Sequence, residues 1–231
     1  MSLKLILGES GAGKSYYVYK EMIEKTNSDG RNYLYIVPEQ FTMENQKKIV
    51  KMQGELMGRY GVMNIDILSF NRLAFKVFEE MGVTTLDILD DTGKNIILRK
   101  ILEENKEKLH VFKYKAMMIG FVEELKSVIS ELYQYGISID DLSKIIEGME
   151  GHAITKEKLQ DLLFVYEEFR KSIQSMTGSS TKYITKEEVL EELMKYIASS
   201  EIVKNSYIVL DGYTGFTPVQ YRLISMLLEY S

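Results

Sequence analysis

Leu3-Lys4-Leu5-Ile6-Leu7-Gly8-Glu9-Ser10-Gly11-Ala12-Gly13-Lys14-Ser15 is the stretch on which the fold of this chain turns. Residues 3–7 are an apolar run that stops at glycine, and the run predicts a buried strand. Residues 8–15 match G-x-x-x-x-G-K-[ST] at every defined position. A helical pattern from about 14 to 25 follows, so the motif has the strand before it and the helix after it that its chemistry requires. Gly11 and Gly13 allow positive φ, which turns backbone N–H groups inward around an anion. Gly8, Gly11, Ala12, Gly13, Lys14 and Ser15 are therefore the candidate nucleotide-phosphate cradle. Lys14 suits the β- and γ-phosphates and the Ser15 hydroxyl suits Mg2+, with the helix dipole adding attraction. A chance glycine-rich turn is the competing reading, and the flanking strand and helix argue against it.

Outward from the loop, residues 33–37 (Tyr-Leu-Tyr-Ile-Val) predict a second strand that must end before Pro38, which has no amide to donate. A helix from about 43 to 57 follows, then a third strand containing Asp66-Ile67-Leu68 and a helix over about 71–81. Strands alternating with helices at this spacing indicate a parallel sheet. Residues 92–199 read almost entirely as amphipathic helix. Within them, 115–135 carries Met118, Phe121, Val122, Leu125, Val128, Ile129 and Leu132 at helical spacing. Another helix spans about 155–176, and Thr185 with Glu188 forms a capping box for the next. Gly178-Ser179-Ser180 is a loop between them, as Asn27-Ser28-Asp29-Gly30 is after the first helix. A strand signal returns at Tyr207-Ile208-Val209-Leu210-Asp211, and Pro218 opens a last helix.

The expected fold is thus α/β: a P-loop domain of parallel sheet from residues 1–91 and 201–231, interrupted by a helical insertion at 92–200. So short a sheet is expected to continue beyond the last residue.

Composition narrows the function classes. The 231 residues are 45% apolar and 27% charged, enough for a full core and ordinary for a soluble globular chain. No apolar run is long enough to cross a membrane, and no secretory leader is visible. Without cysteine there is no disulfide, thiolate zinc site or iron–sulfur cluster on these residues, which fits a cytoplasmic protein. The net charge of −5 argues against binding polyanions through bulk field, so nucleic acid would need a local groove.

A nucleoside triphosphatase of this type also needs an acid at the end of a later strand to hold the metal. Asp211 is in that place, and a strand-end turn residue before glycine is the competing reading. The next position, where hydrolytic motors carry a glutamate to orient water, is Gly212, which has no side chain to act as a base. The expectation is nucleotide binding with weak hydrolysis and no catalytic residue.

Four segments, in this order, resemble the AddB family, the B subunits of bacterial AddAB helicase–nucleases. They are residues 8–15, Val37-Pro38-Glu39-Gln40-Phe41-Thr42, Leu68-Ser69-Phe70-Asn71-Arg72-Leu73-Ala74-Phe75 and Leu210-Asp211-Gly212-Tyr213-Thr214-Gly215-Phe216-Thr217-Pro218. The resemblance implies a RecA-like domain 1A of a superfamily-1 helicase, with a 1B-like helical insertion. It implies ATP and Mg2+ as ligands, single- and double-stranded DNA as partners, and an AddA-like subunit as the other half of a heterodimer. It further implies a degenerate motor that scans single-stranded DNA for a recombination hotspot during double-strand-break repair by homologous recombination. The family's nuclease domain and iron–sulfur cluster lie far toward the C-terminus of full-length members. Two departures stand out. No residues precede the loop strand that would carry an adenine-reading glutamine, and Phe75 stands where a bulkier aromatic is expected.

Candidate DNA contacts follow from the resemblance together with side-chain chemistry. The Gln40 amide and Thr42 hydroxyl follow a strand end, the usual ligand edge of a parallel sheet, although Thr42 is equally a helix cap. Phe70 and Arg72 pair a stacking face with a guanidinium, against the alternative of a core ring and a solvated charge. Phe75 and Tyr213 complete the set, and Phe216 is as readily a staple for the last helix. His110 and His152 lack ligand-spaced neighbours. Rival functions are a free-standing P-loop kinase or nucleotide transferase, an active helicase motor, and a docking domain without nucleotide affinity. The kinase would need an arginine-rich lid, whereas the insertion offers Arg99 and Arg170.

Overall fold

The structure, a computed structural model, describes residues 3–26, 30–58, 60, 64–116, 118, 120–150, 153–178 and 181–231. The turn residues Asn27-Ser28-Asp29, the loop residues Ser179-Ser180 and His152 lie outside them. In chain order the regular elements begin with α1 (Lys14–Thr26), β1 (Asn32–Ile36), α2 (Thr42–Met57), β2 (Ile65–Leu68) and α3 (Phe70–Glu80). Next come β3 (Leu86–Leu89), α4 (Asp91–Glu104), α5 (Phe121–Tyr135), α6 (Ile139–Glu147), α7 (Ala153–Met176) and β4 (Lys182–Thr185). The last are α8 (Val189–Met194), α9 (Glu201–Lys204), β5 (Ser206–Leu210) and α10 (Pro218–Tyr230). Contacts divide the chain into two units, Met1–Val83 with Leu190–Phe216 and Gln220–Ser231, and Thr84–Val189 with Thr217–Val219.

The first unit is built on a parallel sheet of order β2-β1-β5. Central strand β1 is buried from Tyr33 to Ile36, as a parallel strand covered on both faces must be. Tyr33 and Tyr35 pair in register with Ile65 and Ile67 on one side and with Tyr207 and Val209 on the other. Their faces pack with Val18, Tyr19, Met22 and Ile23 of α1 and with Ile49 and Met52 of α2. Alternation sends Leu34 and Ile36 to the opposite face. Helix α3 buries Phe70, Leu73, Ala74, Val77 and Phe78. Its start is fixed by Ser69, whose Oγ accepts the Arg72 amide at 3.3 Å.

The strand expected at residues 3–7 is not present. Leu3, Leu5 and Leu7 are 67%, 71% and 87% exposed, and only Ile6 packs against the α1–sheet core. A strand needs a neighbour for its backbone groups, and residues 3–7 join no ladder with either β2 or β5. The segment lies instead along α1, where Lys4 Nζ donates to the Tyr17 hydroxyl at 2.8 Å and to Glu21 at 2.7 Å.

The second unit packs α4, α5 and α7 around one core that includes Leu98, Leu125, Val165 and Phe169. Residues 92–199 are largely helical as expected, but they contain β4, which the sequence reading does not mark and which forms a parallel pair with β3 just before that span, Leu86 opposite Lys182. Four-residue strands carry too little alternation to stand out from helix in sequence. The helix expected from 115 begins only at Phe121, since Gly120 takes φ +90 and breaks the pattern, and Met118 is exposed. The Thr185–Glu188 capping box is present. Lys94, buried to 1% exposure, is neutralised by Glu187, with Nζ at 2.7 and 2.8 Å from its two carboxylate oxygens.

Asp161, also 1% exposed, accepts the backbone N–H groups of His110, Val111 and Phe112 at 2.9, 2.7 and 2.8 Å. Asp161→Ala therefore strands three donors. The expected outcome is a loss of about 3 kcal/mol of stability and faster hydrogen exchange at amides 110–112. Unchanged protection there would contradict this role.

Candidate functional site

The glycine-rich turn sits at the head of α1 in the first unit. Gly11 and Gly13 hold φ +80 and +82, the left-handed region that a Cβ disfavours. Ala12 N donates to Glu9 O at 3.2 Å and closes the turn, and Tyr17 N donates to Gly13 O at 2.9 Å and starts the helix. The Lys14 side chain folds back over the turn, its Nζ donating to the carbonyls of Gly8 and Glu9 at 2.8 Å each.

Across from it, Asp211 lies one residue past β5, where Asp211 N still donates to Ile36 O at 3.1 Å. Its carboxylate collects three donors. Ser15 Oγ reaches Oδ2 at 2.6 Å, joining residues 196 positions apart. The Tyr35 hydroxyl donates to the same oxygen. Gly212 N donates to Oδ1 at 2.8 Å. Burial pushes the Tyr35 phenol well above its usual range, reinforced by its bonds to Asp211 and Tyr19. Tyr35 therefore stays protonated and acts as a donor. A hydroxyl and a carboxylate are hard oxygen donors that suit Mg2+ rather than Zn2+. Among the described residues no cluster of three or more His, Cys, Asp or Glu could hold a metal by itself.

Gly212 has φ +75, and a Cβ there would lie 3.5 Å from Pro38 Cδ and 3.8 Å from Phe41 Cδ2. The glycine is thus required by the backbone, because the chain turns into the left-handed region directly after the aspartate.

The remaining candidates gather at the carboxyl ends of β1 and β2. Glu39 accepts from the Ser69 hydroxyl and, at 3.0 Å, from Arg72 Nε, so the corners after β1 and β2 are tied together. Gln40 is exposed. Arg72 and Phe75 are half-open to solvent, their exposure being 54% (side chain) and 50%. Thr42 is buried and donates to Glu39 O at 2.9 Å, within the turn that leads into α2. Phe70 is 4% exposed beneath Tyr213 and Phe216, with ring centroids 5.4 and 6.4 Å away. Tyr213 is half-buried, 4.9 Å from Phe216, and burial together with the Glu39 charge raises its phenol above the usual range. His110 is exposed.

Sequence reading misses Tyr35, Tyr19, Ser69 and Glu39. Tyr35 and Tyr19 look like packing residues, and only three-dimensional pairing reveals their hydroxyls at work. Ser69 and Glu39 fall within the segments that carry the family resemblance, yet nothing in their spacing assigns them a role.

The molecule is an α/β protein, mostly helical with a small parallel sheet. A family described as "ADDB, N-terminal" matches residues 5–231, and the chain belongs to that family. It is similar to proteins named as the B subunit of an ATP-dependent helicase/deoxyribonuclease. The relative from Lachnoclostridium phytofermentans is 44% identical over 230 residues, and that from Clostridium kluyveri is 36% identical over 231. One from Alkaliphilus oremlandii is 31% identical over 230 residues. Each match covers 99% of this chain, which spans only 19% of the length of those relatives. No helix among the described residues is long and apolar enough to cross a membrane.

The backbone at Gly212 yields a test. Gly212→Glu places a side chain on this left-handed backbone and strains the turn by about 1–2 kcal/mol. The expected outcome is a lower melting temperature, and an unchanged one would show that the turn accepts a side chain without strain.

Proposed function

We propose that this chain is the ATP-binding, DNA-guiding N-terminal part of a helicase–nuclease subunit in double-strand-break repair by homologous recombination. On this reading the first unit is a RecA-like P-loop domain, 1A of a superfamily-1 helicase, and the helical unit is its 1B-like insertion. The observation that carries it is the 2.6 Å bond from Ser15 Oγ to Asp211 Oδ2. It puts a loop hydroxyl against a strand-end carboxylate, the pair that a P-loop protein uses around nucleotide-bound Mg2+. The relatives' name, which makes them subunits of an ATP-dependent helicase/deoxyribonuclease, supports the same reading. Their length, of which this chain spans 19%, weighs against a free-standing kinase.

In this proposal the N–H groups of residues 8–15 and the positive end of α1 bind the phosphates. Lys14 Nζ exchanges the Gly8 and Glu9 carbonyls for phosphate oxygens. Mg2+, held through Ser15 and Asp211, would supply charge neutralisation. With Gly212 after Asp211 the protein orients no water through that position, so the unit binds ATP and turns it over slowly. It guides DNA as a degenerate motor scanning for a hotspot, while an AddA-like partner subunit supplies translocation. The compartment is the cytoplasm, and an iron–sulfur cluster belongs to the distant C-terminal part of the longer protein.

The DNA strand is proposed to run over the carboxyl edge of the sheet. Gln40, Arg72 and Phe75 are open there, and Tyr213 presents one edge of its ring. Phe70 and Thr42 act from behind: Phe70 backs Tyr213, and Thr42 fixes the turn that carries Gln40. The Arg72–Glu39 pair is half-exposed on both sides and so of small net worth, which leaves the guanidinium able to turn to a phosphate.

Two outcomes are expected of the full-length subunit. Lys14→Ala lowers affinity for a fluorescent ATP analogue about tenfold or more, and wild-type turnover stays far below that of a motor ATPase. Rapid turnover that Lys14→Ala abolishes would refute weak hydrolysis. Arg72→Ala weakens single-stranded DNA binding about uniformly across sequences and flattens its salt dependence by about one counterion. Unchanged affinity and salt slope would remove Arg72 from the DNA path.

A further inference from the structure

We infer that Tyr35 is a positioning residue for the metal side of the nucleotide site, its hydroxyl holding the Asp211 carboxylate in place from within the sheet. The inference rests on the nucleotide-site reading above and extends it to a residue outside the loop and the strand-end acid. Tyr35 lies within β1, opposite Val209 of β5, and its side chain is fully buried. A phenylalanine would fill the same core space. The hydroxyl therefore has a polar task, and its partner is Asp211 Oδ2, the oxygen that Ser15 also uses.

The phenol is itself held on a rigid path. The Tyr35 ring lies 5.1 Å from that of Tyr19, and the Tyr19 hydroxyl donates to Asn45 Oδ1. Asn45 Nδ2 in turn donates to Phe41 O at 2.7 Å, at the head of α2. This path links α2, α1 and β1 to the end of β5. Its physical consequence concerns what happens when Ser15 is recruited elsewhere. If the Ser15 oxygen is drawn toward a divalent cation, the carboxylate still has the Tyr35 O–H on Oδ2 and the Gly212 N–H on Oδ1. Two donors on different oxygens fix the carboxylate plane, whereas one leaves it free to rotate. Tyr35 thus preorganises Asp211 for the cation and has no direct part in holding the phosphates.

The test uses the full-length subunit and a fluorescent ATP analogue, with affinity measured in Mg2+ and again in EDTA. Tyr35→Phe is expected to lower the Mg2+-to-EDTA affinity ratio about threefold to tenfold while leaving the EDTA affinity unchanged. In an Asp211→Asn background the same substitution is expected to change the ratio no further. A purely structural hydroxyl would lower both affinities alike or act equally in both backgrounds, and either result overturns the inference. Lys14→Ala separates the two levels of the proposal. If it leaves nucleotide binding untouched, the nucleotide site itself falls and takes this role with it. If it abolishes binding while Tyr35→Phe keeps the wild-type ratio, only the role of Tyr35 is lost.

Discussion

One carboxylate organises the first unit. Asp211 takes hydrogen bonds from α1 through Ser15, from β1 through Tyr35 and from its own following amide at Gly212. Its backbone N–H meanwhile continues the ladder to Ile36. A charge drawn partly out of water is tolerated only when its lone pairs are met. Meeting them from separate elements forces the loop, the central strand and the far strand into one register. The glycine-rich turn is consequently positioned from outside as well as by its own positive φ angles, since its helix cannot slide without breaking the Ser15 bond.

The same constraint explains why the residue after the acid is glycine. With Asp211 N spent on the sheet and Oδ1 turned to the next amide, the chain leaves β5 through φ +75, where a side chain is strained. On the proposed reading, loss of a water-orienting acid is thus a property of the turn as much as of the side chain. A glutamate at 212 would need a different exit from the strand, and that exit would move Tyr213, whose ring rests between Phe70 and Phe216. On that reading, weak hydrolysis and the aromatic layer at the sheet edge would share a single backbone cause.

Much of this arrangement is legible in the residues. Pro38 and the apolar runs mark β1, β2, β5 and their helices to within a residue or two, because propensity and burial agree there. Residues 3–7 mislead because apolar side chains signal burial whereas a strand is made by backbone partners, and those partners depend on which other strands lie alongside. β3 and β4 escape notice for the converse reason: four residues of mixed character become strand only by pairing with each other. At the site, the loop and Asp211 are visible through spacing, while Tyr35 is invisible because a buried tyrosine in a strand reads as packing. Asp161 hides likewise in the middle of α7, where an acid ordinarily marks a solvated face.

The acidic balance of the chain, −5 overall, sharpens what the sheet edge can offer a polyanion. Bulk field works against approach, so attraction must come from points where a cation is exposed and its counter-charge is weakly held. Arg72 meets that condition. Glu39 orients the guanidinium at 3.0 Å, yet both side chains are more than half exposed, and exchanging a carboxylate for a phosphate there costs little. Glu39 also accepts from Ser69, so it remains partnered after Arg72 turns away. On the proposed reading, an arginine held ready by an acid that does not depend on it, near the half-open rings of Phe75 and Tyr213, would provide grip and stacking without raising the net charge. On the same reading such a surface would favour a flexible single strand, whose bases can reach the rings, over a duplex, whose bases remain stacked inside.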